Sequence, residues 1–574
     1  MNSLLHGWPG LLSAYTLLQG GLLAGLLRGR AGWSKLAVSP LLALPLTAVA
    51  GVSIAAVTGL ARAFGLGGSM LQLCAGVSCT AAIGFSVGRV LSRRSSGVVI
   101  YERGAIVMDE RSTGAPRTVE SRGTRRAHAR SLYGITIAGL PIAPEDEVKH
   151  FKLIGTTGTG KSTAIREMLG AALARGDRAV IADPDGGYLR HFYDASRGDR
   201  VLNPFDTRSA KWDLFGEITN DYDVEQLARS LIPDHEGADR SWRGYARTFF
   251  SAVTSQAHAA GSHEVSELYR LLVVAGTAEL KTLVAGTPAQ PFLEEHNGRM
   301  FDSIRSVTSS AVSALEYVSR QRSAPLSVRD WVRNTPGPAG GVLFMPYRAG
   351  QIAALRSTIS AWMRLAIFEV MNREEGEQRL WFVVDELDAL GQIDGLKDAL
   401  ARLRKFGGRC VLGFQSIAQV SSTYGSGEAQ TLVENCGNTL ILRCSGSEHG
   451  GTSQFASRLI GEREVTRITT SRSRRMTELF ASTTQTEHPG VEPAVMGSEI
   501  EQLPDLSGYL KFASSPGWRR VSLRTASPQL SDPTLPTATI LRFPNAPLAR
   551  PPLNPAVVQP NQQPTVARDG FELE

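Results

Sequence analysis

A wound α/β domain, interrupted by an all-α insertion and preceded by membrane-spanning segments, is the architecture this 574-residue sequence predicts. From His150 onward, short apolar runs alternate with helical stretches, the pattern of strands wound with helices. Between about 207 and 325 that alternation stops and only helical periodicity remains. Residues 1–91 carry no Asp or Glu and only five basic residues, Arg28, Arg30, Lys35, Arg62 and Arg89.

Within that acid-free start, Leu11–Leu27, Leu36–Ala61 and Ser69–Gly88 are uncharged and about 17–26 residues long, enough to cross a ~30 Å hydrocarbon core. Basic residues follow each run, and positive charge stays inside, so residues 92–574 are expected in the cytoplasm. Gln19, Gly20 and Gly21 interrupt the first run, and no basic residue precedes it, which disfavours a cleaved signal peptide. Removing the five charges of 1–91 from the formal net charge of +7 leaves +2 for residues 92–574. Nine Arg against four acids in 92–130 then leave −3 for 131–574. A generally basic nucleic-acid-binding globule is thereby excluded, despite the pI of 9.2. Cys74, Cys79, Cys410, Cys436 and Cys444 show neither disulfide-framework nor metal-ligand spacing.

Residues 92–130 are Arg- and Ser-rich and read as a basic juxtamembrane stem drawn to lipid headgroups. Phe151–Ile154, Ala179–Ala182, Val342–Met345, Leu380–Val384, Cys410–Phe414 and Thr439–Leu442 read as buried strands. They assign 131–206 and 326–524 to one nucleotide-binding α/β domain. Val224–Leu231, Tyr245–His258, Val265–Val274 and Phe301–Val318 read as helices of an all-α domain over 207–325. Pro, Gln and Asn dominate 525–574, which reads as a disordered tail.

The chemistry concentrates in two places. Gly155-Thr156-Thr157-Gly158-Thr159-Gly160-Lys161-Ser162-Thr163 fits the G-x-x-x-x-G-K-[ST] phosphate loop. Its glycines turn backbone N–H groups onto a phosphate, Lys161 reaches the β/γ oxygens, and Ser162 supplies a hydroxyl to Mg²⁺. A strand precedes the loop and a helix over Thr163–Arg175 follows it, with Gly176 as its stop. Further on, the apolar run Leu380–Val384 ends in Asp385-Glu386. There Asp385 is placed to hold the Mg²⁺ shell and Glu386 to act as general base on the attacking water.

Gln415, ending the run Cys410–Phe414, is a candidate sensor of the γ-phosphate. Arg402, Arg404, Lys405 and Arg409 precede that run, and one of them could reach a nucleotide held by a neighbouring subunit. Asp183-Pro-Asp-Gly-Gly reads equally as a sheet-end turn and as an acid facing the phosphates. Trp242, Arg243, Tyr245 and Arg247 mix aromatic and basic character, with helix-core packing the favoured reading.

With these motifs in order, the sequence resembles the coupling proteins of conjugative type IV secretion, the TraD/TrwB family. The resemblance rests on the apolar start, Gly155–Thr163, Asp183-Pro184, Asn203-Pro204-Phe205-Asp206, Phe382–Leu387 and Gly413-Phe414-Gln415-Ser416 with Gln419, over about residues 130–450. It implies a RecA-like P-loop motor domain with an inserted all-α domain and N-terminal transmembrane helices, bound as a homohexamer to the bacterial inner membrane. It further implies ATP and Mg²⁺ as cofactors, and DNA, relaxase or relaxosome proteins and secretion-channel subunits as partners. Arg404 looks like the family's trans-acting arginine and Gln415 its sensor. The chain departs at the turn after the second strand, with Asp185 and Gly187 where many members carry Lys and Glu, and in having one apolar segment more than usual. The rival readings are an FtsK-like DNA translocase, for which 525–574 is too short to hold a winged-helix reader, and a membrane docking receptor without motor activity. No LSGGQ-like signature appears, and His235-Glu236 and His263-Glu264 lack the second His of a zinc protease.

Overall fold

A computed structural model of the chain describes residues 8–28, 35–47, 69–92, 98–108, 134–234, 239–334, 341–372, 379–448, 450–473 and 482–525. It divides into two units, Met1–Gly104 with Arg463–Glu492, and Ala105–Glu462 with Pro493–Glu574. The expected tail over 525–574 lies, apart from Thr525, outside the described residues.

In the first unit the helices Trp8–Arg28 and Ser69–Ser92 pack backbone to backbone. A Cβ on Gly21, Gly25, Gly84 or Gly88 would stand 2.3–2.4 Å from a carbonyl oxygen of the opposite helix, so only glycine permits this approach. The two pairs fall four residues apart on each helix, which puts them on one face. Among the described residues no helix is long and apolar enough to cross a membrane; the expected spans 11–27 and 69–88 fall within the two helices. The middle run is helical over 35–47, and its remainder lies outside the described residues. Val98–Gly104 pairs antiparallel with Glu462–Ser473, which neighbours Ser482–Pro493 in a three-stranded sheet. So part of the expected stem is strand, and residues 463–492 leave the α/β body to which 326–524 was assigned.

The second unit is built on ten described strands: β1 (Val107–Met108), β2 (Phe151–Ile154), β3 (Arg178–Pro184), β4 (Arg200–Val201), β5 (Val342–Tyr347), β6 (Leu380–Val384), β7 (Gly408–Phe414), β8 (Asn438–Ile441), β9 (Ser507–Lys511) and β10 (Trp518–Ser522). They order as β1-β10-β9-β8-β2-β7-β6-β3-β5-β4. From β8 to β4 every neighbouring pair is parallel, while β9 pairs antiparallel with β8 and β10.

The parallel strands are apolar on both faces, as helices covering both sides require. Alternate residues serve different cores. Phe151, Leu153, Ala179, Ile181, Trp381, Val383 and Val411 join the core under helix α1 (Lys161–Ala174). Val180, Ala182, Phe382, Val384, Leu412 and Phe414 join the opposite core with helix α2 (Ile352–Met371). That second core runs on into the helices between β4 and β5, among them Asp221–Leu231, Arg240–Ala259 and Gly298–Ala311, through Phe249, Phe250 and Phe301.

Entry to and exit from this helical segment are clasped together. Lys211–Trp212 pairs with Pro325–Leu326, and the buried Glu217 carboxylate accepts from Trp212 Nε1 at 2.9 Å, Val328 N at 2.6 Å and Arg329 N at 3.0 Å. Two of the expected helices are broken. Phe301–Val318 is divided into Gly298–Ala311 and Leu315–Ser319, and Val265–Val274 passes from α-helix into a π turn at Arg270.

Candidate active site

Parallel strands all end on the same edge of the sheet, and ligands of wound α/β folds gather in the crevice outside that edge. Here the edge collects the loop after β2, Asp183 in β3, Tyr347 in β5, Asp385-Glu386 after β6 and Gln415 after β7. Strand β7 lies between β2 and β6, so Gln415 stands between the phosphate loop and the carboxylates.

Gly155–Gly160 turns tightly into α1, with Gly158 at φ +79° and Gly160, the N-cap, at φ +118°. A Cβ on Gly160 would also meet Leu506 and Leu523 at 2.9 and 3.0 Å. Lys161 is buried, and its ammonium donates to the Gly155 carbonyl at 2.6 Å and the Thr156 carbonyl at 3.2 Å. Burial pulls its pKa below the usual lysine range, while the Asp385 and Glu386 carboxylates act in the opposite direction. Leu506 N donates to the Thr159 carbonyl at 2.9 Å, and Thr156 N to that of Arg443 at 2.9 Å, so neighbouring loops brace the turn.

Asp385 is 4% exposed. Its Oδ2 accepts from Ser162 Oγ at 2.6 Å and from Tyr188 OH at 2.8 Å, while Oδ1 is buried with no hydrogen-bond partner. A buried carboxylate oxygen left bare beside a loop serine fits a Mg²⁺ shell of hard oxygen donors. Glu386 is half-buried and accepts from Gln415 Nε2, and Gln415 Oε1 in turn accepts from Thr157 Oγ1 at 3.3 Å. Burial, then the adjacent Asp385, raise the Glu386 carboxyl above the ordinary carboxylate range, opposed by the Gln415 amide. A raised pKa is what a general base near neutral pH needs.

Gly155, Lys161, Ser162, Thr157, Asp385, Glu386 and Gln415 are thus linked through neighbouring contacts; Thr163 lies in the first turn of α1. Arg404 is not among them. It is exposed in a short turn before β7, at the end of the strand opposite Gln415 and about 20 Å away at ~3.3 Å per residue. Arg409, another arginine of that group, is buried and pairs with Glu147 at 3.2 Å, within a network that also holds Arg175 and Asp177. Its role is in the sheet rather than at a neighbour's nucleotide.

Two residues at this edge carried no functional reading in the sequence. Tyr188 follows the turn at Asp183, whose carboxylate caps the helix Gly187–Phe192 by accepting Tyr188 N at 3.0 Å and Leu189 N at 2.7 Å. Burial pushes Asp183 up to about 6 against those donors, and raises the Tyr188 phenol well above its usual range, so Tyr188 stays a donor. No motif signals a phenol there. Gly413 was a legible signal: glycine inside a strand marks a close backbone approach. A Cβ at Gly413 would stand 1.9 Å from the Asp385 carbonyl oxygen, and its own carbonyl accepts Leu387 N at 3.1 Å.

A phosphate loop after one parallel strand, with acids two strands away and an amide between them, defines a RecA-like P-loop fold. Residues 134–524 match the family model described as type IV secretion-system coupling protein DNA-binding domain, and the chain belongs to that family. It is 32% identical over 380 residues to "Coupling protein TraD" of Escherichia coli (strain K12), covering 66% of this chain; it spans about half, 52%, of that relative. The solved bacterial conjugative coupling protein TrwBdeltaN70 is similar at 31% identity and TM-score 0.63, over 74% of this chain and 94% of that one. TrwB in complex with ADPNP, and with ADP and Mg²⁺, matches at 30% identity and TM-score 0.63, over 75% and 76% of this chain and 95% and 97% of those chains.

Proposed function

We propose that the chain is the ATP-driven DNA translocase of a conjugative type IV secretion system, joining a DNA–relaxase complex to the secretion channel. One observation carries this reading: Ser162 and the half-bare Asp385 meet beside the phosphate loop, with Glu386 and Gln415 one contact away. Ser162 Oγ and Asp385 would hold Mg²⁺, which when bound neutralises charge on the β- and γ-phosphate oxygens. The loop N–H groups and Lys161 bind the phosphates. The attacking water gives a proton to Glu386 as its oxygen bonds the γ-phosphorus, and the bridging oxygen leaves with ADP. Gln415, tied to both Thr157 and Glu386, orients that water.

Arg404, on the far side of its own sheet, acts on the nucleotide of the next subunit in a homohexamer. DNA moves through contacts to a few local basic residues, since the body of the chain is not basic. Association with the bacterial inner membrane, the main body facing the cytoplasm, belongs to the same reading; Leu12, Leu27, Leu41 and Leu44 are exposed apolar residues of the N-terminal helices that suit a lipid surface.

The test is ATP turnover by the purified full-length chain with single-stranded DNA, double-stranded DNA or none. The proposal expects turnover that DNA stimulates and that falls steeply with salt. Nucleotide binding without any DNA-stimulated turnover would favour a docking receptor and refute the motor.

A further inference from the structure

Asp385 is held by two hydroxyls on one oxygen, and only one of them, that of Ser162, belongs to the phosphate loop. The other comes from Tyr188, whose ring is 2% exposed. Three features fix that ring. Asp183 accepts the backbone N–H of Tyr188 and of Leu189. Asp185 at φ +57° and Gly186 at φ +66° turn the chain so that the helix starts directly under the sheet edge. The Arg166 guanidinium, from α1, lies 5.7 Å from the ring centroid. A phenol so fixed spends its one proton on Oδ2 and leaves Oδ1 bare.

We propose that Tyr188 is a positioning residue for the metal: by holding Oδ2 of Asp385, it keeps Oδ1 aimed for the Mg²⁺ that accompanies bound nucleotide. The inference rests on the nucleotide reading above and adds to it the residue that sets the orientation of the metal-facing carboxylate. A carboxylate with one hydroxyl donor in place of two can rotate between its oxygens. Loss of such an outer partner costs metal sites about 10–100-fold in affinity.

The test uses full-length wild type and Tyr188→Phe, which keeps the ring, its packing and the Asp183 cap. Binding of the fluorescent nucleotide mant-ADP is titrated first with EDTA and then against MgCl₂, with MnCl₂ and electron paramagnetic resonance as a direct count of bound metal. Tyr188→Phe is expected to bind mant-ADP in EDTA as wild type does, but to need about 10–100-fold more Mg²⁺ or Mn²⁺ for half-saturation. Equal metal dependence in the two proteins overturns the assignment. So does a loss of mant-ADP affinity in EDTA as large as that in Mg²⁺, which would mark a general structural role. If the wild type binds no mant-ADP under any condition, the nucleotide reading itself fails and takes this one with it.

Discussion

Replacing Gly413 by alanine should disable hydrolysis while leaving nucleotide binding almost intact. A methyl group there would stand 1.9 Å from the Asp385 carbonyl oxygen, whereas a carbon–oxygen contact ordinarily needs about 3.3–3.6 Å. The ends of β6 and β7 must therefore part by roughly 1.4 Å, and the Leu387 N to Gly413 O bond, 3.1 Å long, is strained or broken. That displacement falls on the backbone bearing Asp385 and Glu386, while the phosphate loop hangs from β2 on the other side of β7. Misplacing reacting groups by about 1 Å costs on the order of 10²-fold in rate, near 2.7 kcal/mol of barrier. Overpacking of this kind costs about 1–3 kcal/mol of stability. The assay pairs steady-state ATP turnover with mant-ADP binding in EDTA and a thermal melt. The expected result is a kcat about 100-fold lower, mant-ADP affinity within a few-fold of wild type, and a lower but cooperative melt. A Gly413→Ala protein with wild-type kcat would refute the claim that this glycine sets the position of the carboxylates.

Two further outcomes are expected. Mixing Arg404→Ala subunits with Lys161→Ala subunits should partly restore the turnover each lacks alone, because an intact loop then meets an intact arginine across an interface; no rescue would remove Arg404 from the mechanism. His150 is buried between the Leu400 carbonyl, which Nε2–H meets at 2.9 Å, and Cys410 N, which donates to Nδ1 at 3.1 Å. Burial, opposed by the Leu400 carbonyl, lowers its pKa from 6.5 to about 4. The neutral ring thus contributes stability that is present above pH 6.5 and lost as pH falls towards 4, up to about 3 kcal/mol. Denaturant melts of His150→Asn across that window should show a flatter pH dependence than wild type, and an unchanged slope would contradict it.

The parallel sheet was legible because strands covered on both faces are written as unbroken apolar runs: Leu380–Val384 and Phe151–Ile154 are strands to the residue. The phosphate loop and the acids were legible for the same reason, since each directly follows such a run. Strand β10 was not, because only Trp518 and Val521 among its five residues are buried and its register is set by β9 rather than by its own pattern. The strands Glu462–Ser473 and Ser482–Pro493 were hidden by their many polar residues, a pattern that periodicity cannot tell from loop. Arg409 and Arg404 look alike in sequence, yet one is buried against Glu147 and the other exposed, a difference made by a partner 262 positions away. Tyr188 was invisible for a related reason: its phenol donates to a residue 197 positions on.

The proposed function requires that a triphosphate seated in the loop after β2 be cleaved by the carboxylate that follows Asp385. It is tested most directly by single-turnover release of phosphate from ATP in Glu386→Gln beside wild type, with ATP binding measured on the same samples. Glu386→Gln is expected to bind ATP fully and to release phosphate about 10²–10⁴-fold more slowly. Release at the wild-type rate would contradict it.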